Sequence, residues 1–208
     1  MSVGMRRLVQ VTVGAIAGLV IAAAVVWWTV EPPPTVVRLT EAVASGPQVG
    51  GPFTLTDHTG RTVSEADFAG RFMLIYFGFT YCPDICPTEM QTFAEVMDRL
   101  GPLSDRVQPM LITVDPARDT PEVLKGYMAL FDPSFVALRG TPEQLEATAK
   151  DFKVFYKKVE GKTATSYTME HSAASFVYDT QGRLRLYVRP GSGPQVLTHD
   201  LRLMLGGA

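Results

Sequence analysis

Apolar and polar positions divide the chain into one long unbroken apolar run, a proline-rich stretch and a series of short periodic blocks. Leu8 to Val30 (LVQVTVGAIAGLVIAAAVVWWTV) carries no charge over 23 residues. As a helix it would reach about 35 Å, enough to cross a hydrocarbon core. No polar face recurs at helical spacing, which argues against a core helix. Glu31-Pro32-Pro33-Pro34 then fixes φ and removes backbone donors, and the text to Ser45 lacks periodicity, so residues 31–45 read as an extended Pro-rich linker.

From Gly46 the pattern alternates between strand-like and helix-like blocks, predicting one domain over residues 46–208. Phe53–Thr56 and Arg61–Val63 around Gly60 predict a hairpin, and the continuous apolar run Phe72–Phe77 predicts a central strand buried on both faces. Met90, Phe93, Ala94, Met97 and Leu100 recur at spacings of three and four, so a helix is expected from Pro87 to Leu100. A strand at Val107–Val114 and a helix at Pro121–Phe131 follow, then a short strand at Val136–Leu138. Thr141-Pro142-Glu143-Gln144 combines an N-cap, a proline at the first helical position and a capping box, and the helix it opens should end near Asp151. Val154–Val159 reads as a strand, Ser175–Asp179 with Leu184–Val188 as a second hairpin, and Gln195–Leu205 as the last helix. This order describes an α/β sandwich whose mixed sheet carries helices on both faces.

Charge gives the apolar run a direction. Arg6 and Arg7 precede it and Glu31 follows, so residues 1–7 are expected in the cytoplasm, 8–30 as a single transmembrane anchor, and the domain outside. The competing reading is a cleaved signal peptide ending in the small residues Ala22–Ala24, but the run exceeds an ordinary h-region and continues past them. With 19 Lys+Arg against 21 Asp+Glu, no broad basic face for nucleic acid is implied.

Cys82 and Cys86 are the only cysteines, directly after the predicted central strand, where open α/β sheets place their ligands. Each precedes a proline, which disfavours helical geometry and predicts that neither lies inside a helix. Cys86 is expected at the N-cap, with Pro87 at the first helical position and the helix dipole lowering its thiol pKa. Three readings of the pair stand side by side: a structural disulfide, a catalytic dithiol with C-x-x-x-C spacing, and a two-thiolate site for a soft metal such as Cu(I), with zinc as competitor.

The stretches Tyr76–Pro87 (YFGFTYCPDICP), Thr113–Pro121 (TVDPARDTP) and Met169–Ser172 (MEHS) resemble the Sco/SenC family of copper-binding assembly proteins for cytochrome c oxidase. The resemblance extends from about residue 48 to the end and implies a thioredoxin-like fold in which two cysteines and a distant histidine bind one copper ion. Those positions are Cys82, Cys86 and His171 here, and Glu170 stands where the family commonly has Asp. A Cys2His set suits both oxidation states of copper, thiolates holding Cu(I) and imidazole adding tolerance for Cu(II). His58 and His199 read as solvated residues, Met90 and Met169 as packing residues, and Asp115 and Asp119 as turn or cap residues.

The resemblance implies a metallochaperone outside the cytoplasm with an exposed site on mobile loops, passing copper to the copper-bearing subunit of the oxidase. It also implies a copper donor and an extracytoplasmic thiol reductase as partners, since the pair must be reduced before loading. The alternative is a thiol-disulfide oxidoreductase or peroxidase-like enzyme using the same pair.

Overall fold

The computed structural model of the protein describes Gly4 and residues 37–38, 49–163 and 166–206. The chain divides into two compact units, Met1–Pro33 and Pro34–Ala208, and every element below belongs to the second. The apolar run 8–30 lies outside the described residues, as does most of the linker. Among the described residues no helix is long and apolar enough to cross a membrane.

The sheet is built around two strands that are apolar at nearly every position. β4 (Phe72–Gly78) and β5 (Val107–Thr113) are buried throughout and run parallel, in register from Phe72 opposite Val107 to Gly78 opposite Thr113. β6 (Val136–Arg139) continues the parallel set, and the hairpin of β2 (Thr54–Asp57) and β3 (Thr62–Ser64) closes that edge antiparallel. On the other side of β4 lie β9 (Ser175–Tyr178) and β10 (Leu184–Val188), both antiparallel. β1 (Val37–Arg38) pairs with Tyr187 and Leu186 of β10, so part of the stretch expected to be a spacer adds an edge strand. The eight strands run in the order β1-β10-β9-β4-β5-β6-β2-β3.

Successive strand residues point to opposite faces, and β4 shows what covers each. Tyr76 meets Cys86 on helix α1 (Ile85–Leu100), which packs beside α4 (Pro194–Leu205). Phe77 turns the other way, 5.3 Å from the ring of Phe152, which follows α3 (Pro142–Asp151). Helices therefore cover both faces, as the alternating pattern predicts. The Thr141–Gln144 capping box forms as expected, and Thr120 caps α2 (Pro121–Met128) by accepting from the Val123 N–H.

Boundaries shift where local hydrogen bonding overrules periodicity. α2 stops at Met128 because Leu130 and Phe131 turn back to the carbonyls of Tyr127 and Met128 in tighter i to i−3 bonds. Like β1, a further strand lies outside the predicted elements: β8 (Tyr167–His171) pairs antiparallel with β7 (Tyr156–Glu160), giving a separate two-stranded ribbon. The alternation of half-buried Tyr167, Met169 and His171 with exposed Thr168 and Glu170 is the strand signal that marks it.

Candidate metal centre

The site starts at the carboxyl end of β4. Phe79 to Cys82 forms a tight turn in which the Cys82 N–H donates to the Phe79 carbonyl at 3.4 Å. That turn is tied to the loop after β5 by Asp119, a fully buried carboxylate. Asp119 accepts from the Thr80 N–H at 3.1 Å and from the hydroxyls of Thr80 and Thr113 at 2.5 Å each. A larger role than helix capping thus falls to Asp119, while the cap itself is Thr120.

The sequence reading kept both cysteines out of the helix, and for Cys86 the structure corrects it. α1 begins at Ile85, so Cys86 lies in the first turn and Pro87 behind it. Proline is tolerated there because the first-turn N–H groups have no intrahelical acceptor. One of those orphan donors, the Cys86 N–H, donates to the Cys82 sulfur at 3.4 Å, so the first thiol caps the helix that carries the second. Both cysteines are free and both are buried, Cys82 9% exposed and Cys86 0%. An exposed site on mobile loops is therefore not what forms: the sulfurs sit on a turn and a helix beneath the surface.

Burial also reverses the expected acidity. Desolvation, assisted by the neighbouring Cys82, pushes the Cys86 thiol up to about 12. A helix N-terminus contributes up to about 2 kcal/mol, whereas full burial can shift a pKa by about 3 to 5 units, so desolvation wins. The Tyr76 hydroxyl donates to the Cys86 sulfur at 3.7 Å. A β-carbon on Gly78 would stand 2.7 Å from the Tyr76 ring and 3.2 Å from that sulfur, which accounts for glycine at the end of β4.

His171 ends β8, and its Nε2 lies 3.6 Å from the Cys86 sulfur although 85 positions separate the two residues. Its Nδ1 lies 3.0 Å from the Ser172 carbonyl. A carbonyl only accepts, so the proton sits on Nδ1 and the Nε2 lone pair faces the thiols. Burial lowers the imidazole pKa, partly offset by the Ser172 contact, and keeps the ring neutral. Edge-on contacts with Phe79 at 5.8 Å and Tyr76 at 6.0 Å fix the ring plane. Among the described residues no group of three or more His, Cys, Asp and Glu side chains is already drawn in to metal-holding geometry. The arrangement brings soft and borderline donors together beside the carboxyl end of β4.

The comparisons with known proteins bear on what fills it. The sequence profile of the family described as SCO1/SenC matches residues 41–206. The chain belongs to the SCO1/SenC family. An SCO2-like protein of Rickettsia felis is 36% identical over 156 residues, covering 74% of this chain and 76% of that one. The structure of Bradyrhizobium japonicum ScoI with copper bound superposes with a TM-score of 0.70 at 37% identity, covering 74% of this chain and 98% of that one. BsSco, described by its disulfide switch and as a member of the Sco family of cytochrome c oxidase assembly proteins, has a TM-score of 0.62 at 25% identity. That match covers 77% of this chain and 95% of BsSco. With these neighbours the fold is thioredoxin-like.

Within this SCO1/SenC domain the other histidines do other things. The backbone N–H of Ala137 donates to His58 Nδ1 at 3.2 Å, so His58 closes the β2–β3 turn against β6 and is more than a solvated residue. His199 is exposed on α4. Met90 is fully buried and Met169 packs against the core, as packing residues should. Sequence reasoning missed Tyr76 and Glu89; the signal for both was a polar group on a face otherwise apolar.

Glu89, one turn beyond Cys86, is 5% exposed and accepts from the Gly191 N–H and the Ser175 hydroxyl at 3.5 Å each. Burial holds its carboxyl above the usual range, with those two bonds opposing. Because folding favours the protonated form, its stabilising effect is complete below the unfolded-state pKa and is lost as pH rises through the raised folded value. Glu89→Gln, which imitates the protonated group, should therefore gain stability relative to the parent in thermal unfolding over the pH range that opens at the ordinary carboxyl value of about 4. A constant offset across that range would contradict the assignment.

Proposed function

We propose that this SCO1/SenC chain is a copper chaperone that holds one copper ion between Cys82, Cys86 and His171 and assists assembly of the dinuclear copper centre of cytochrome c oxidase. The observation that carries the reading is the 3.6 Å approach of His171 Nε2 to the Cys86 sulfur, with the ring tautomer already set for coordination and both cysteines free. Metal bonds of about 2.0 Å to nitrogen and about 2.3 Å to sulfur at a tetrahedral angle leave the two ligand atoms about 3.5 Å apart. An ion therefore fits with little rearrangement of that pair. Two thiols suit Cu(I), and an added imidazole extends the set to Cu(II). The copper-bound Bradyrhizobium relative supports the same reading.

Copper is cargo here, so the chemistry of the chain's own residues is protonation and release. Cys86 is a neutral thiol in the apo state, and loading must displace its proton. The second reading, a thiol-disulfide oxidoreductase, is favoured by two free cysteines whose turn brings the Cys82 sulfur against the Cys86 amide. It is opposed by a thiol pushed up to about 12, which leaves little thiolate nucleophile at Cys86.

The same reading takes residues 8–30 as a single-pass anchor in the cytoplasmic membrane and 31–45 as the linker, with the domain on the extracytoplasmic side. A copper donor, a thiol reductase and the copper-bearing oxidase subunit are its partners, and the membrane is its location.

The test is a copper titration of the reduced chain beside its His171→Ala variant. The variant is expected to bind Cu(II) more weakly by over about a hundredfold, since losing a ligand should exceed the 10- to 100-fold cost of losing a ligand's hydrogen-bond partner. Cu(I) should still be held by the thiol pair. Equal Cu(II) affinities in the two proteins would remove His171 from the site.

A further inference from the structure

We propose that Arg118 is a positioning residue that latches the β7–β8 ribbon, and with it the His171 imidazole, against the cysteine turn. For its metal consequence the inference rests on the three-ligand reading above. The ribbon forms its ladder only within itself. Apart from His171, its polar contacts to the rest of the domain among the described residues converge on Tyr167, at the far end of the same strand.

Tyr167 and His171 are four residues apart on β8 and so point to the same face, about 13 Å from each other along the strand. Arg118 grips the first of them from the loop between β5 and α2. Its guanidinium carbon lies over the Tyr167 ring, 3.7 Å from the centroid, and its Nη1 donates to the Tyr167 carbonyl at 2.9 Å. The Tyr167 hydroxyl donates to Asp115 at 3.0 Å, and Asp115 is the carboxylate paired with Arg118 Nε. The Asp115 side chain is 4% exposed and that of Arg118 is 21% exposed, so water screens this pair little.

Arg118 also reaches the cysteine turn. Its guanidinium stands 4.8 Å from the Tyr81 ring, next to Cys82, and 5.8 Å from the ring of Phe79, which lies edge-on to His171. One side chain therefore touches the turn carrying the first thiol and the strand carrying the imidazole. A planar fork can stack on rings and donate in the same pose, which an ammonium cannot. Lys158, from β7, lies 4.4 Å from the Tyr167 ring and adds a second cation to the stack. Neither Arg118 nor Tyr167 is a ligand candidate, so the latch sets where the third ligand sits without touching the ion.

The experiment compares the full chain with Arg118→Ala, Tyr167→Ala and His171→Ala. Amide hydrogen exchange is read over residues 167–171 without metal, and Cu(II) affinity is read with the nitrogen hyperfine coupling in the electron paramagnetic resonance spectrum. Arg118→Ala and Tyr167→Ala are expected to speed exchange of those amides and to weaken Cu(II) binding by about tenfold or more, with reduced nitrogen coupling and Cu(I) binding retained. Ribbon exchange and Cu(II) affinity equal to the parent in Arg118→Ala would overturn the latch. If Arg118→Ala loses the native circular dichroism spectrum, Tyr167→Ala decides by the same two readouts, because its side chain lies on the ribbon outside the sheet core. If the parent and His171→Ala bind Cu(II) alike, the three-ligand reading fails instead, and unchanged or faster exchange alone then refutes or supports the latch.

Discussion

Cys86→Ser should leave the purified chain with almost no copper after desalting, where the parent retains about one ion. Cys86 is the fully buried centre of the site, within reach of the Tyr76 hydroxyl, the His171 imidazole and the turn that carries Cys82. A serine hydroxyl fills nearly the same space but offers Cu(I) a hard, protonated oxygen in place of a thiolate. The loss should exceed about a hundredfold in affinity, and stability should change little because no cavity and no unpaired neighbour is created. The parent and variant differ by a single atom, so metal analysis beside a denaturation curve separates ligand loss from unfolding. Full copper retention by Cys86→Ser in a folded protein would place the ion elsewhere.

The second large effect is on the fold that holds the site. Asp119→Ala should lower the unfolding free energy by about 2 to 4 kcal/mol, measured by chemical denaturation. The carboxylate is buried and receives three donors, two from Thr80 and one from Thr113. Truncation leaves all three unpaired where water cannot replace the lost acceptor. Asp119→Asn keeps one acceptor oxygen and should cost less. A variant as stable as the parent would mean that another group ties the cysteine turn to β5.

Much of this was open to inspection in the sequence. Phe72–Phe77 is a run without polar interruption, and only a strand covered on both faces can bury it, which β4 does. Thr141 and Gln144 form the capping box their spacing predicts because that motif depends on four consecutive residues alone. Local signals of this kind survive folding. The start of α1 did not follow the rule that residues before proline avoid helical geometry. Ile85 and Cys86 are helical because the sulfur of Cys82 supplies the acceptor that makes an early first turn favourable.

The site was only half legible. Two cysteines at the carboxyl end of a buried strand indicated where chemistry would occur, but not that burial would outweigh the helix dipole. His171 entered through family resemblance, since no local pattern states which strand its neighbours join. Its place depends on the pairing of Tyr156 with His171 across the ribbon and on contacts from residues about 50 positions away, Asp115 and Arg118. Such non-local contacts leave no periodic trace. Arg118 carries no periodic signal, and its role comes from aromatic rings of two separate segments, the cysteine turn and β8.

The bond between the Cys86 amide and the Cys82 sulfur gives the protein a native spectroscopic probe. Any metal, oxidant or alkylating agent that engages that sulfur changes the acceptor, and the amide proton resonance should shift in step. A single amide cross-peak of the isotope-labelled chain would then report occupancy of the site in real time.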